Sequence, residues 1–88
     1  MNEKSPAAHN NLGLSYFEKG EYTLAIEHYA KALKLEETSV HYNNRGLAHY
    51  HNSALEDAKK DFNKAIQMDD NDPTIYFNRG NAYLNSPE

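Results

Sequence analysis

A nine-residue segment recurs three times in this chain at nearly constant spacing. The central copy is residues 42–50 (YNNRGLAHY), and related copies lie at residues 9–17 (HNNLGLSYF) and 76–84 (YFNRGNAYL). The glycines of the three copies, Gly13, Gly46 and Gly80, are 33 and 34 residues apart. A period of this length is typical of stacked helical repeats. The spacing therefore predicts an all-α array in which each unit packs only on its neighbours.

Apolar residues between these copies recur with the three-to-four spacing of amphipathic helices. The pattern predicts five helices, at about residues 6–19, 22–35, 39–52, 54–68 and 73–84. The predicted organisation is an N-terminal tail (1–5), a first repeat (6–38), a second repeat (39–72) and the first helix of a third repeat or a capping helix (73–86). The predicted buried residues are Leu24, Ala25, Tyr29, Ala32 and Leu33 in the second helix and Leu55, Ala58, Phe62, Ala65 and Ile66 in the fourth.

Two helix starts carry the same pair of signals. The side chains of Ser5 and Asp72 can each accept a hydrogen bond from a free N–H group, and Pro6 and Pro73 follow at the first helical position. The acidic run at residues 69–72 could alternatively bind calcium, but it lacks the glycine and the distal glutamate of an EF-hand loop. The capping role explains the run, and we expect no metal site there.

The turns inside the two repeats differ in sequence. Gly20 is suited to ending the first helix, since glycine tolerates positive φ. The equivalent turn of the second repeat has no glycine. There, Ser53 and Glu56 predict a capping box at the start of the fourth helix.

Small residues mark the places where paired helices are expected to approach closely. Gly13, Gly46, Gly80, Ala25 and Ala58 are predicted to allow this approach. The aromatic residues Tyr16, Tyr29 and Phe62 are predicted to fill the wedges between successive helices.

A paired change of residues distinguishes the two repeats. Arg45 stands where the first repeat has Leu12, and Asp61 stands where it has His28. This change predicts a salt bridge between the third and fourth helices, the alternative being two solvated surface charges of little energetic value. Arg79 repeats Arg45 without a matching aspartate later in the sequence.

Composition narrows the class of function. The formal net charge of −4 and the scattered basic residues argue against nucleic-acid binding. No apolar run approaches the roughly 18 residues of a membrane span, and the N-terminus lacks the apolar segment of a secretory signal. Cysteine is absent, which excludes disulfide bonds and thiolate chemistry. We predict a cytoplasmic protein with no cofactor and no membrane partner.

No motif indicates catalysis or metal binding. The sequence has neither a nucleophile motif nor a glycine-rich phosphate loop, so we predict that the chain is not an enzyme. None of the five histidines stands four residues from another, the separation that brings two imidazoles of one helix onto a metal. His28, His41 and His49 are predicted to have packing or surface roles.

The recurring positions resemble the tetratricopeptide repeat (TPR) family, whose pattern combines a large aromatic residue, Leu-Gly, Tyr, Ala, a second aromatic residue and Ala. The matching residues are Leu12, Gly13, Tyr16, Gly20, Ala25, Tyr29 and Ala32 in the first repeat, Tyr42, Gly46, Ala58, Phe62 and Ala65 in the second, and Tyr76, Gly80, Ala82 and Tyr83 in the third. His9, His49 and Ser53 depart from the pattern. The resemblance implies a TPR-like α-solenoid of antiparallel helix pairs with a right-handed superhelical trend.

In this family the first helix of each pair lines a concave groove in which ligand peptides commonly lie. The resemblance implies that a protein partner binds there as an extended segment, in contact with Asn10, Asn11, Leu14, Phe17, Asn43, Asn44, Leu47, Tyr50, Phe77, Asn78, Asn81 and Leu84. Asn11, Asn44 and Asn78 share one register, and each amide can both donate to and accept from a peptide backbone. The alternative is that these asparagines form only a solvated polar surface.

One family ligand is expected not to bind. Co-chaperones of this family hold the EEVD tail of heat-shock chaperones with a clamp of lysine, arginine and asparagine side chains. The corresponding residues here are Asn10, Leu14, Asn44, Thr74 and Asn78, of which only Asn44 matches. Because no cation would meet the carboxylates, we expect EEVD tails to be poor ligands.

Self-association is the alternative function. Tyr76, Arg79 and Tyr83 are expected to face the place that a further helix would occupy, although repeat stacks normally end in a polar outer face. We expect either a fragment of a longer repeat protein or a homo-oligomer that covers this face.

Overall fold

The computed structural model describes residues 5–86 and contains five α-helices joined by short turns. The helices are α1 (Pro6–Glu18), α2 (Tyr22–Leu35), α3 (Ser39–His51), α4 (Leu55–Met68) and α5 (Pro73–Leu84). Each predicted helix boundary is within one residue of the observed helix boundary. No strand occurs in the described residues, which confirms the all-α prediction. Most of the predicted N-terminal tail, residues 1–4, lies outside this range.

The helices form antiparallel pairs that stack in sequence order. Helix α1 packs on α2 and α3 packs on α4, while α2 and α4 also contact the next pair through α3 and α5. The described part of the chain measures 44 × 27 × 17 Å. This elongated shape follows from a stack in which each pair contacts only its neighbours.

The predicted caps of α1 and α5 are confirmed. Ser5 Oγ accepts a hydrogen bond from the N–H of Ala8 at 3.3 Å, and Asp72 Oδ1 accepts one from the N–H of Thr74 at 2.9 Å. Both caps satisfy N–H groups that have no partner inside the helix. Helix α3 is capped in the same way by Thr38.

The predicted capping box at Ser53 is wrong. The N-cap of α4 is Ala54, which makes no side-chain hydrogen bond, and Ser53 has a φ angle of 66°. Gly20, which occupies the equivalent turn of the first repeat, has a φ angle of 81°. The reversal after α3 therefore holds Ser53 in a left-handed conformation, whereas an N-cap residue needs an extended one.

Two aromatic side chains occupy the narrowest gaps between paired helices. A Cβ atom added to Gly13 would lie 2.6 Å from Cε1 of Tyr29, and one added to Gly46 would lie 2.7 Å from Cε1 of Phe62. Tyr29 and Phe62 are fully buried, so the predicted close approach is confirmed in both repeats.

The close approach predicted at Gly80 has no partner helix within residues 5–86, where no atom lies within 4 Å of a Cβ built on this glycine. No described helix packs on that side of α5 as α2 and α4 pack on α1 and α3.

Some predicted core positions lie at the margin of the stack. Leu24 is exposed, and Leu55, Ile66 and Tyr16 are only partly buried. The ring of Tyr16 stacks on His28 at a centroid distance of 5.5 Å and packs against the edge of the core. Most of the buried hydrophobic residues form two clusters, which are Ala25, Tyr29 and Ala48 in one and Ala58, Phe62, Ala65, Ile75 and Ala82 in the other.

The predicted salt bridge is confirmed, since Arg45 Nη2 lies 2.8 Å from Asp61 Oδ1. The structure also joins two histidines that are far apart in sequence, with 3.2 Å between the Nδ1 atoms of His9 and His28. Among residues 5–86, no three histidine or acidic side chains converge in a way that could hold a metal ion. None of the described helices is both long and apolar enough to traverse a lipid bilayer.

Candidate functional site

The first helix of each pair lies beside its successor. Helix α1 contacts α3, and α3 contacts α5, so the three helices form one continuous surface. We call this surface the A-helix wall. The twelve residues that the sequence predicts for peptide binding all lie on these three helices.

Hydrogen bonds between asparagine side chains tie the A-helix wall together. Asn44 Nδ2 donates to Asn10 Oδ1 at 2.9 Å, which joins α3 to α1. Asn78 Nδ2 donates to Asn43 Oδ1 at 3.1 Å, which joins α5 to α3. Asn78 is only 8% exposed. Part of the predicted asparagine row therefore holds neighbouring helices in register.

The predicted residues differ widely in the surface that they offer. The exposed ones are Asn11, Leu14, Phe77 and Leu84. Phe77 is 68% exposed and Leu84 is 84% exposed, and their separation of seven residues places both on one side of α5. The partly buried ones are Asn10, Phe17, Asn43, Asn44, Leu47, Tyr50 and Asn81, while Asn78 is buried.

An aromatic cluster supports the wall where the two repeats meet. The ring of Phe17 contacts those of Tyr22 and His51 edge to face, at centroid distances of 5.4 and 5.3 Å. His51 also stacks on Tyr22 and meets Tyr50 edge to face. Tyr22 and His51 could not be predicted from the sequence, because their contacts with Phe17 and with each other join different helices and no repeated motif marks them.

None of the twelve predicted residues carries a charge. The two arginines of α3 and α5 are directed to α4, where Arg45 binds Asp61 and Arg79 Nη1 donates to Asn63 Oδ1 at 2.9 Å. His49 Nε2 lies 3.7 Å from Asp61 Oδ2, yet burial lowers the pKa of His49 more than the nearby carboxylates raise it. The surface available to a ligand is therefore amide and apolar in character.

A second open surface lies on the other side of α5, where Tyr76, Arg79, Gly80 and Tyr83 line a depression of about 430 Å³. The guanidinium carbon of Arg79 lies 5.4 Å from the centre of the Tyr76 ring. Lys59 Nζ lies 4.7 Å from the centre of the Tyr83 ring. The structure thus brings together the three residues predicted for self-association.

Comparison with known families covers most of the chain. Residues 6–39 match a family model described as tetratricopeptide repeat, and residues 46–86 match one described as TPR repeat. DnaJ homolog subfamily C member 7 of Mus musculus is 30% identical over 92 residues, which cover 99% of this chain and 19% of that protein. Photosystem I assembly protein Ycf3 of Synechococcus sp. (strain CC9605) is 35% identical over 75 residues, which cover 81% of this chain and 43% of that protein. The chain spans less than half the length of either relative.

Two solved structures share the fold. They are the first and second TPR of Spaghetti (RPAP3), each bound to the HSP90 peptide SRMEEVD. The TM-scores are 0.90 and 0.88, and the sequence identities are 21% and 26%. Both alignments cover 94% of this chain, and they cover 67% and 78% of the respective solved chains.

Proposed function

This chain belongs to the tetratricopeptide repeat family, a family of protein-interaction modules, and we propose that it binds an extended segment of a partner protein along the A-helix wall. The observation that carries the proposal is the composition of the exposed wall. The exposed apolar side chains of Leu14, Phe77 and Leu84 lie on the same three helices as the exposed amide of Asn11 and the partly buried amide of Asn44. An extended peptide needs both, because its backbone pairs with polar groups and its side chains enter apolar contacts.

The asparagine amides have unequal roles in this proposal. Asn11 is exposed, so both its donor and its acceptor are available to a peptide backbone. Asn44 already donates to Asn10, which leaves its carbonyl oxygen as the main acceptor for a ligand N–H. Asn78 is buried and supports Asn43. The peptide-binding residues are thus divided between those that contact the ligand and those that hold the helices in place.

The ligand that fits such a wall is uncharged or weakly apolar. A carboxylate-rich tail needs arginine or lysine side chains to compensate the loss of its hydration. The five clamp positions here carry no cation, and Arg45 is already paired with Asp61. We therefore keep the hypothesis that EEVD tails are poor ligands of this chain, although the peptide SRMEEVD is bound to both Spaghetti structures.

Selection from a displayed library of random peptides tests the wall. The wall variant is Phe77→Ser with Leu84→Ser, and the matched control is Leu35→Ser with Met68→Ser, which alters two exposed apolar residues of α2 and α4. We expect neutral peptides that bind the wild type and the control equally and bind the wall variant at least about tenfold more weakly. Equal binding to all three proteins would place the site elsewhere.

The affinity of the peptide SRMEEVD for the same three proteins is measured separately. We expect a dissociation constant no tighter than about 1 mM. A micromolar value would refute the expected discrimination against acidic tails. Such binding would still support the A-helix wall as the peptide-binding site if the Phe77→Ser, Leu84→Ser variant lost it.

Self-association through Tyr76, Arg79 and Tyr83 is the second candidate function. It is favoured by the exposure of Tyr76 and Tyr83 on the outer side of α5. Sedimentation equilibrium of the wild type and of Arg79→Glu distinguishes it from peptide binding. A concentration-dependent dimer that the substitution abolishes supports it, and a monomer at every accessible concentration contradicts it.

A further inference from the structure

Two histidines of the first repeat face each other across the contact between its helices. His9 lies on α1 and His28 lies on α2, and their Nδ1 atoms are 3.2 Å apart. The two rings are stacked, with an interplanar angle of 24° and a centroid distance of 5.5 Å. Both residues are only partly buried, which leaves the pair accessible to solvent.

The protonation of the two rings decides what the pair can bind. A neutral imidazole has one ring nitrogen that donates and one that accepts. The two Nδ1 atoms can share one proton if the rings are different tautomers, whereas two protonated Nδ1 atoms would place donor against donor. When both rings carry their proton on Nε2, two lone pairs converge between the helices. A cation that accepts two nitrogen ligands satisfies this arrangement.

The separation of the Nδ1 atoms matches the spacing of two ligands of one metal ion. Zinc binds histidine nitrogen at about 2.0–2.1 Å, and two such ligands at a tetrahedral angle lie about 3.3–3.4 Å apart. The observed distance between the Nδ1 atoms of His9 and His28 is 3.2 Å. Small rotations of the two rings therefore suffice to bring both nitrogens onto one ion.

The surroundings of the pair favour the neutral form that a metal ligand needs. Burial, Lys31 and His9 lower the pKa of His28, and Glu27 acts in the opposite direction. His28 is therefore mostly neutral at pH 7, where an ordinary histidine has a pKa of about 6.5. The ring of Tyr16 stacks on His28 and restricts its reorientation.

The second repeat has no counterpart of this pair. The residues 33 positions after His9 and His28 are Tyr42 and Asp61, and both carboxylate oxygens of Asp61 accept hydrogen bonds from Arg45. The helix-pair architecture therefore does not require histidines at these positions. The spacing of histidines along one helix could not indicate the pair, because its members come from two helices.

Two of the remaining histidines meet a carboxylate at longer distance. His41 Nε2 lies 3.8 Å from Glu36 Oε1, and His49 Nε2 lies 3.7 Å from Asp61 Oδ2. Among the side-chain hydrogen bonds of residues 5–86, only that of the first repeat joins two ring nitrogens. This pair is therefore the place in the described chain where two nitrogen ligands are already together.

We propose that His9 and His28 bind one divalent transition-metal ion through their Nδ1 atoms, so that the ion links α1 to α2. Imidazole suits zinc, copper and nickel ions, whereas magnesium and calcium ions prefer oxygen ligands. The described residues offer no third histidine or acidic ligand. Water or a ligand from another molecule completes the coordination, and the ion exchanges with solution.

A titration with zinc chloride tests the proposed site. It uses the metal-free, isotope-labelled full chain at neutral pH, and the nitrogen resonances of the histidine rings report which atoms bind. The variants His9→Gln and His28→Gln each remove one imidazole. The matched control is His51→Gln, which removes an exposed histidine of α3. Magnesium chloride is the control ion, because magnesium binds oxygen ligands.

We expect one zinc ion per chain, with a dissociation constant tighter than about 100 μM for the wild type and for His51→Gln. The Nδ1 resonances of His9 and His28 should shift together. Each of His9→Gln and His28→Gln should weaken zinc binding at least about tenfold. Zinc should raise the midpoint of thermal unfolding of the wild type but not of these two variants, because an ion bound only by the folded chain stabilises it.

Thermal unfolding without zinc shows whether each variant is folded, and the ring resonances of the wild type test the site without any substitution. Zinc binding weaker than about 100 μM would overturn the proposal. Wild-type affinity in either His9→Gln or His28→Gln would also overturn it, as would shifts at Nε2 in place of Nδ1 or an equal response to magnesium. A complex of two chains with one ion would make the ion an intermolecular bridge and would equally refute the link between α1 and α2.

Discussion

Arg45 and Asp61 form a bidentate ion pair between α3 and α4. Nε and Nη2 of Arg45 donate to the two carboxylate oxygens of Asp61, both at 2.8 Å. Asp61 is only 4% exposed, so its charge is removed from water. A buried carboxylate is tolerated when a fork of donors compensates its lost hydration. In the first repeat Leu12 and His28 hold the same positions without charge.

The Arg45–Asp61 pair predicts that the effects of substituting the two residues on the free energy of unfolding do not add. Arg45→Leu alone leaves the carboxylate of Asp61 buried without its partner and should lower the free energy of unfolding by about 3 kcal/mol. Arg45→Leu combined with Asp61→His recreates the pair of the first repeat and should recover most of that loss. Urea unfolding of the wild type, both single variants and the double variant measures the coupling. If the single losses simply add, the pair does not stabilise the repeat in this way.

Alanine at the glycines should have opposite effects in different repeats. In Gly46→Ala the new Cβ meets the buried ring of Phe62, and overpacking should cost about 1–3 kcal/mol. In Gly80→Ala the Cβ enters open space, and the higher helix propensity of alanine should add up to about 1 kcal/mol. Thermal unfolding compares the two variants. Equal destabilisation by both would show that Gly80 is packed in solution.

Much of the fold could be predicted because its signals are local or repeated. Helix bounds follow from caps and apolar spacing, and the Arg45–Asp61 pair follows from a simultaneous change at two positions of the repeat. The conformation of Ser53 could not be predicted in the same way. Its residue type favours a cap, whereas the turn after α3 requires positive φ.

The contacts of the A-helix wall were less predictable. Asn11, Asn44 and Asn78 share a register in sequence, but the observed partner of Asn44 is Asn10 and that of Asn78 is Asn43. Side chains of adjacent helices interdigitate, so contacts join positions that are offset from the repeat by a residue. Comparing repeats finds equivalent positions, and equivalent positions do not always touch.

Ser53→Gly should stabilise the protein. A left-handed backbone conformation costs a residue other than glycine about 1–2 kcal/mol, and Ser53 has this conformation. Glycine removes this cost, but it also loses more conformational entropy on folding, which offsets part of the gain. The net gain should be about 0.5–1 kcal/mol in urea unfolding. Gly20→Ala, at the equivalent turn, is the control and should be destabilising. A neutral or destabilising Ser53→Gly would mean that the Ser53 side chain makes a compensating contact.

Stability should fall as the pH is lowered from 7 to 5. Burial is the main cause of the lowered pKa of His28 and His49, and nearby Lys31 and Arg45 add to it. Because an unfolded histidine titrates near its ordinary value of about 6.5, the unfolded state binds more protons between that value and the lower folded pKa. The contribution of the two buried histidines to the free energy of unfolding is therefore complete above about pH 6.5 and is lost as the pH falls below that value.

Two measurements check this pH dependence. The Hε1 resonances of His28 and His49 should titrate below the histidine resonances of the urea-unfolded chain. His49→Tyr, which introduces the residue type found at the equivalent positions 16 and 83, should reduce the slope of unfolding free energy against pH. Stability that does not change between pH 7 and 5 would contradict the burial of these two rings.

Asn11 and Asn78 should separate ligand binding from stability. Asn78→Ala removes the donor to Asn43 from a buried position and should cost about 1–2 kcal/mol of unfolding free energy. Asn11→Ala changes an exposed helical position and should alter stability by less than about 0.5 kcal/mol.

If the wall binds peptides as proposed, Asn11→Ala should nevertheless weaken the binding of a peptide selected on the wild type. Because Asn11→Ala is expected to keep the stability of the wild type, its loss of affinity reports the contact with the peptide. A loss of affinity in Asn78→Ala also includes the loss of the hydrogen bond between α5 and α3. Asn11→Ala with full affinity would remove this residue from the proposed site.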